Sequence, residues 1–304
     1  TAAANPELGS RRPGIEYLTG SIYTSPVPVY SRRPMCQDHL MGIFSSRSLA
    51  SLVIGLLSLC VGNLLADEAE IKSALTLHAS FDNGIDADFS KGDKKLYTWI
   101  DRKKNVAKAG LHTEGKSGVA KGVGKFGSAL EFKASDAPWI FFQAKENLAY
   151  KNKNWTGSVS LWLKCDPVDG LAKGFCDPVL LTPRAWNDAA FFLDFNKEGS
   201  PRDFRLGAYA DLKVWNPEKS DVPDSERPLL TAKNPGFGKD KWTHIVFTWG
   251  GFNSGSKKAI ATLYIDGKHN DTLTGWNQQF TWSDSETSRL LLGLHYVGFL
   301  DEFS

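Results

Sequence analysis

The 304-residue sequence is poor in cysteine and in net charge, and each shortage excludes a class of protein. With only 4 Cys it cannot form a dense disulfide scaffold. A formal net charge of +2 argues against general nucleic-acid binding, because phosphate contacts need clustered lysine and arginine. The 28 Gly and 14 Pro are scattered and 41% of residues are hydrophobic, which excludes collagen-like and wholly disordered chains.

The first 66 residues differ from the rest of the chain. Residues 1–40 have no hydrophobic period, and Met41 opens a short basic segment that is followed by an apolar run from Leu49 to Leu65. The run ends at the small residue Ala66, just before an acidic stretch. This order is typical of a secretory signal peptide. We therefore predict an upstream segment outside the mature protein (1–40), a signal peptide (41–66) and a secreted, periplasmic or cell-surface domain (67–304).

Two other interpretations of the apolar run remain open. It is roughly 17 residues long, at the short limit for a membrane anchor. Cys60 could carry a lipid, but Leu59 before it is too large for the usual lipidation motif, and apolar residues continue after it.

Residues 67–304 alternate between apolar and polar side chains with the period of β-strands. The alternation is strictest in Trp242–Trp249, and Asp266-Gly267 follows an apolar segment as the turn of a hairpin does. No segment carries an apolar stripe of helical period over ten or more residues. Many short strands separated by turn signals predict an all-β sandwich or barrel. The predicted strands are 75–81, 128–132, 139–142, 158–164, 189–195, 203–209, 242–249, 259–265, 289–294 and 298–303.

Six motifs follow one another in a family-like order. They are 77–84 (LHASFDNG), 124–132 (GKFGSALEF), 155–163 (WTGSVSLWL), 241–249 (KWTHIVFTW), 261–267 (ATLYIDG) and 298–303 (GFLDEF). They are distributed in order along nearly the whole of residues 74–304, and this order resembles the laminin-G-like, concanavalin A-like jelly-roll domains of secreted bacterial proteins. The resemblance implies an antiparallel two-sheet β-sandwich that binds glycans or extracellular partners.

The sandwich predicts which central side chains lie in the core. We expect Trp162, Val246, Ile265 and Phe299 to be buried between the sheets or against an adjoining loop. Trp162 is the exception to the alternation rule, because a period of two places it opposite Leu161 and Leu163.

Motifs for catalysis and cofactor binding are missing or incomplete. Glycosidases of jelly-roll shape carry paired carboxylates on one face of a strand, as in E-x-D-x-E, but no Glu-x-Asp occurs in this chain. Asp301 and Glu302 are adjacent and point to opposite faces, and Asp194 is a lone carboxylate for which a structural or solvated role is expected. Residues 122–127 match G-x-G-x-x-G, but a strand follows where a nucleotide site needs a helix, so we predict a loop and no nucleotide.

Two smaller sites are predicted after removal of the signal peptide. Cys165 and Cys176 flank a short loop, where a disulfide and two buried free thiols are equally plausible. Asp82 and Asn83 follow the first strand and Asp301 lies on the last, and the resemblance implies that these strands are neighbours. Their oxygens would suit a structural Ca²⁺; the alternative is that they cap loops by hydrogen bonding.

Aromatic and amide or acidic residues converge at two predicted loop ends. Sugars present apolar C–H faces and hydroxyl edges, so a glycan site needs an exposed aromatic ring beside polar side chains. Because sequential strands are usually adjacent, the ends of strands 189–195 and 203–209 should meet. The alternative is that the tryptophans plug the core, and Trp276 with Trp282 is a weaker second pair. The predicted ligand-binding residues are Trp186, Asn187, Asp188, Tyr209, Asp211, Trp215 and Asn216.

These observations favour a secreted, non-catalytic β-sandwich that binds a glycan or polysaccharide. Two alternatives remain: an adhesion module for extracellular proteins, and a sugar hydrolase or lyase with an unusual site.

The signal-peptide interpretation makes a direct prediction. The secreted mature protein should begin at or close to Asp67, because signal peptidase cuts after a small residue that follows the apolar run. N-terminal sequencing of the secreted protein measures this. A mature terminus well before Asp67 would contradict it.

Overall fold

Antiparallel strands are the main regular element of the part of the chain that the computed structural model describes, residues 69–282 and 287–304. The predicted upstream segment and signal peptide lie outside these residues. The strands are β1 (Leu77–His78), β2 (Phe89–Ser90), β3 (Tyr97–Asp101), β4 (Val106–Ala109), β5 (Ser117–Ala120), β6 (Ala129–Phe132), β7 (Ile140–Gln143), β8 (Trp155–Lys164), β9 (Cys176–Thr182), β10 (Ala190–Gly199), β11 (Arg202–Tyr209), β12 (Leu229–Ala232), β13 (Thr243–Phe252), β14 (Ile260–Ile265), β15 (Lys268–Leu273), β16 (Arg289–Leu294) and β17 (Gly298–Asp301).

The helices are short. Residues 69–74 are helical (α1), α2 covers Leu212–Trp215, and Asp224–Glu226 form a 3₁₀ turn. Within the described ranges, none of the helices has the length and apolar character that a bilayer crossing requires.

Two large sheets pack face to face. One has eight strands in the order β12-β11-β10-β9-β16-β7-β3-β4, and the other has seven in the order β15-β14-β13-β8-β17-β6-β5. A small two-stranded sheet, β1-β2, joins the last strand region through a bridge between Ala79 and Phe303. The fold is therefore the predicted all-β, antiparallel two-sheet β-sandwich with a jelly-roll arrangement.

Strand alternation positions the core of the seven-stranded sheet. β8 and β13 pair so that Ile245 lies opposite Leu161 and Phe247 opposite Val159, and all four side chains are buried. Removing a large apolar side chain from water contributes about 1.5–3 kcal/mol each, which is why this register is favoured over a one-residue slip. The predicted hairpin at Asp266-Gly267 is confirmed: both residues adopt positive φ, 50° and 73°, and join β14 to β15.

The predicted burial of four central side chains is confirmed for one. Ile265 is 8% exposed and lies in the core. Trp162, Val246 and Phe299 are only half-buried, so their predicted burial is wrong. Strict alternation places Trp162 and Val246 on the outer face of the seven-stranded sheet, where Trp162 stacks on His244 with ring centroids 4.6 Å apart.

The eight-stranded sheet is apolar on both faces. Its inner face contributes to the core between the sheets, and its outer face carries a second buried cluster that includes Phe141, Phe192 and Leu291. The cause is visible in the sequence, because β7 and β16 contain continuous apolar runs at 140–142 and 290–292 instead of alternating. Runs of this kind are typical of strands that are covered on both sides.

Two tryptophans on β8 provide a matched test of the sandwich. Trp155 is fully buried among aromatic rings, whereas Trp162, on the same strand, lies half-exposed on the outer face. Trp155→Ala should therefore lower the free energy of unfolding by about 3–5 kcal/mol. Trp162→Ala should cost clearly less. Urea or thermal unfolding measures both, and equal losses would contradict this assignment of faces.

Candidate ligand-binding groove

A row of apolar side chains crosses the strands on the outer face of the eight-stranded sheet. In the strand register each member lies opposite the next, and the β11 position is a glycine because a Cβ there would overlap the ring of Phe192. Six neighbouring strands take part, so the row spans roughly 24 Å at the usual strand spacing. From β11 to β3 the row consists of Gly207, Phe192, Leu180, Leu291, Phe141 and Tyr97.

Aromatic side chains form walls above this row and leave a groove of about 1460 Å³. Trp186, in the loop between β9 and β10, is 48% exposed and packs edge-on against Phe192 and Tyr209. At the other end Trp99 and Trp139 lie half-buried, with ring centroids 6.3 Å apart. An elongated cleft with an apolar floor and aromatic walls is the usual form of a small-ligand or oligosaccharide site.

The structure brings most of the predicted ligand-binding residues together beside the Trp186 wall. Trp186 is exposed on the groove and does not plug the core, whereas Trp215 is partly buried and supports Tyr209 edge-on at 4.9 Å. The indole N–H of Trp215 donates to the carbonyl of Asn187 at 2.8 Å. Asn216 caps a turn with Ser220 instead of facing the groove. Of this set, Trp186 and Tyr209 line the groove, and Trp215, which is bonded to Asn187, supports Tyr209 from behind.

Arg184 forms hydrogen bonds with both of the acidic residues that were predicted to bind a ligand, Asp188 and Asp211. Its Nε donates to Asp188 at 2.8 Å, and its Nη2 donates to the buried Asp211 at 2.6 Å. Although burial acts to raise it, the hydrogen bonds from Arg184 and from the Leu212 amide hold the pKa of Asp188 below its ordinary value. Asp211 also accepts from the amide of Thr281. These carboxylates therefore join three segments at the end of the groove and are not available as open acceptors.

A second ion pair lies on the groove floor. Asp194 on β10 lies opposite Arg205 on β11, and Nε of Arg205 donates to Asp194 at 2.7 Å. Nη1 of Arg205 donates to Asp224 at 2.9 Å, and the guanidinium lies 4.5 Å from the ring centre of Phe175. Asp194 therefore has the structural role that was expected: it is paired with Arg205, as a buried carboxylate usually must be paired with a cation.

Asp177 lines the groove next to this pair and differs from it. Its carboxyl group has neither a hydrogen-bond nor an ion-pair partner among the described residues, although it is the second residue of β9 and lies beside Asp194. Burial, reinforced by the negative charge of Asp194 and opposed by Arg205, raises the pKa of Asp177 to about 8. Near neutral pH this side chain is largely a neutral carboxylic acid, which can both donate and accept hydrogen bonds.

The sequence prediction missed half of the groove. Trp99 and Trp139 were not assigned, and Asp177 was placed at no site, because their convergence depends on strands that are far apart in the chain. The continuous apolar runs in β7 and β16 were the available signal, since they indicate a covered outer face. The second predicted pair fails as a platform: Trp282 is 4% exposed and donates to the carbonyl of Ala189, and Trp276 packs partly buried against the core.

The residues predicted to bind a metal act as hydrogen-bond acceptors and donors for loops. Asp301 accepts from the amides of Lys125 at 2.7 Å and Phe126 at 3.1 Å. Asp82 accepts from the Ser128 amide at 2.6 Å, and Asn83 donates to Asp88. Among the described residues no group of three or more His, Cys, Asp or Glu could hold a metal. The loop-capping interpretation describes Asp82 and Asp301 here, and Ca²⁺ binding stays a prediction.

The two cysteines are free and buried in the structure, which corresponds to the second of the two alternatives. The thiol of Cys176 donates to the carbonyl of Ala172 at 3.5 Å. Burial raises the pKa of Cys165 to about 12 and also raises that of Cys176. Neither thiol is therefore activated as a nucleophile at neutral pH.

The residues 121–127 form the predicted loop between β5 and β6, and a strand follows it.

The raised pKa of Asp177 predicts a pH-dependent stability. Because the folded state holds this proton more tightly than the unfolded state, its contribution is complete below the ordinary pKa of 3.8 and is lost as the pH rises through about 8. Asp177→Asn, which stays neutral, should melt higher than the unaltered protein at about pH 9 and much like it at about pH 4. Asp169→Asn, in an exposed loop, is the control. Parallel melting curves for all three proteins would contradict the assignment.

Comparison with known proteins gives only distant likenesses. No family model and no curated protein matches the chain. Similar solved structures include the binding domain of Paraclostridial Mosquitocidal Protein 1 (14% identity, 76% of this chain and 47% of that chain, TM-score 0.43) and the binding domain of botulinum neurotoxin DC in complex with SialylT (14%, 69% and 46%, 0.38). A third is the Ruminococcus gnavus IT-sialidase CBM40 bound to α2,3-sialyllactose (12%, 58% and 86%, 0.35). The chain spans just under half the length of the first two, and at these scores neither family nor ligand is transferred.

Proposed function

We propose that the described domain is a non-catalytic module of the laminin-G-like type, exported from the cell, that binds a glycan in the groove of the eight-stranded sheet. The observation that carries this proposal is the exposed Trp186 ring at the end of an apolar row that crosses six strands. A sugar chain offers alternating apolar faces and hydroxyl edges. Trp186 and the members of the row that line the groove, Phe192, Leu180 and Leu291, would contact the faces, and polar groups at the rim would contact the edges.

The length of the groove supports a chain of several sugars over a single one. An oligosaccharide laid from Tyr209 to Trp99 would cross β11 to β3 and cover the apolar floor. The ion pairs of Arg184 and Arg205 already satisfy most buried polar groups along this path, so the groove needs little rearrangement to accept a ligand. A preformed site loses less conformational entropy on binding.

A second candidate function is sugar hydrolysis or elimination, and Asp177 is the observation that favours it. A carboxyl group that keeps its proton at neutral pH is what general acid catalysis of glycosidic cleavage requires. Its neighbour Asp194 is held by Arg205 through both oxygens, so it is poorly placed to act as the second carboxylate. For this reason binding without cleavage is the leading proposal.

Gel electrophoresis through immobilised polysaccharides tests the binding proposal. A panel of neutral and acidic polysaccharides should include at least one that retards the protein. Trp186→Ala should weaken that binding by about tenfold, because it removes an exposed aromatic platform. Trp242→Ala is the control, since Trp242 is half-exposed near Phe299 of the other sheet. Equal retardation of both variants would overturn the groove assignment.

The same panel distinguishes the alternatives. Release of reducing or unsaturated ends by the unaltered protein, lost in Asp177→Asn, would establish an enzyme. A protein that binds no polysaccharide but is captured through the groove by an extracellular protein would establish the adhesion alternative.

A further inference from the structure

The carboxylates along the groove are almost all neutralised by the protein itself. Asp194 is paired with Arg205, and Asp188 and Asp211 are paired with Arg184. Asp177 retains its proton near neutral pH. Among the described residues that line the β9–β11 half of the groove, the carboxylates are Asp177 and Asp194 and the cations are Arg184, Arg205 and Arg227, so little negative charge faces a ligand there.

The opposite end of the groove carries positive charge without a matching carboxylate. Arg102 and Lys103 line this end and form no ion pair among the described residues. The carboxylates nearest to them in the chain and in the groove are already occupied, since Asp101 is paired with Lys104 and Asp136 with Lys116. Arg102 and Lys103 thus have no carboxylate partner among the described residues, whereas Asp101 and Asp136 each have a lysine partner at the surface.

Arg102 is arranged as a planar contact surface. Its guanidinium carbon lies 3.4 Å from the ring centre of Trp139, which holds the planar group over the indole. The side chain remains exposed, and its donors keep the fork geometry that matches a carboxylate. A stacked arginine beside an aromatic wall can contact both the ring face and the carboxylate of an acidic sugar.

An adjoining pocket of about 570 Å³ extends this end of the groove. The two cavities share Asn105, and the pocket adds Gln143, Lys145 and Arg289, whose guanidinium lies 4.8 Å from the ring centre of Phe141. Its acidic residues are Asp93, which accepts from the hydroxyl of Tyr97, and the exposed Glu146. Among the described residues that line the two cavities at this end, five cations (Lys91, Arg102, Lys103, Lys145 and Arg289) stand beside four carboxylates (Asp93, Asp101, Asp136 and Glu146).

We propose that the groove selects acidic glycans, with the carboxylates of uronic-acid residues bound at Arg102 and Lys103 and the sugar faces lying on the apolar row. This inference rests on the proposed glycan-binding function and adds the chemical class of the ligand. A neutral polysaccharide would leave Arg102 and Lys103 without an ion-pair partner, whereas the carboxylates of a polyuronate would form ion pairs with them.

Two polymers with the same backbone provide the test. Polygalacturonate carries a carboxylate on each sugar, and its fully methyl-esterified form carries none. In isothermal titration calorimetry with the full chain, polygalacturonate should bind at least about tenfold more tightly than the ester. The difference should shrink at high salt, because exposed charge pairs are screened.

Variants at Arg102 separate selectivity from fold. Arg102→Gln should lower the affinity for polygalacturonate by about tenfold and leave that for the ester nearly unchanged, and Arg102→Lys should retain part of the preference. Lys257→Gln, an equal loss of charge in an exposed loop of the other sheet, should change neither. Melting temperatures of all variants report on folding.

Each outcome decides one proposal. Binding of the ester or of neutral polysaccharides at least as strong as that of polygalacturonate would overturn the acidic preference and leave glycan binding intact. An unchanged preference in Arg102→Gln would overturn the assigned position. Binding of no polysaccharide in either experiment would overturn both proposals.

Discussion

The burial of apolar side chains on both faces of the eight-stranded sheet is the constraint on which the rest of the structure depends. The inner face, with the seven-stranded sheet, supplies the core that stabilises the fold. The outer face is covered by side chains, since Trp186 packs on Phe192 and Trp99 packs on Phe141, and a cleft lies between these covers.

Arginine side chains make that outer face compatible with water and with a fixed shape. Arg205 neutralises Asp194 in the middle of the sheet, and Arg184 links the β9–β10 loop to Asp211. A buried carboxylate without such a partner would cost several kcal/mol, so these pairs are needed wherever a strand brings an acid onto the apolar face. Asp177 has no arginine of its own, and protonation takes the place of a partner.

Much of the fold was predictable because it depends on local patterns. The alternation in β8 and β13, the Asp266-Gly267 turn and the order of the motifs led to the correct fold class. Local pattern also led to errors. Trp162, Val246 and Phe299 were expected in the core, but the period of two that identified their strands also determines that they face outwards. For Trp162 and Val246 the alternation along β8 and β13 gives the correct outward direction.

The groove shows the limit of sequence reasoning. The residues around Trp186 and Tyr209 lie on consecutive strands, and the chain order was enough to bring them together. The opposite wall is contributed by Trp99, Arg102 and Trp139, which reach the same face only because β16 inserts between β9 and β7. That insertion pairs segments more than 100 residues apart, and no local pattern encodes it.

The sequence by itself determined that the chain forms many strands, where its turns lie and which side chains share a face, because these properties follow from the two-residue period and from turn chemistry. Only the tertiary structure decided which carboxylates are neutralised, which cations stay open and which tryptophans are exposed. Those properties depend on the distances between side chains of strands that are neighbours in space, and long-range pairing sets those distances.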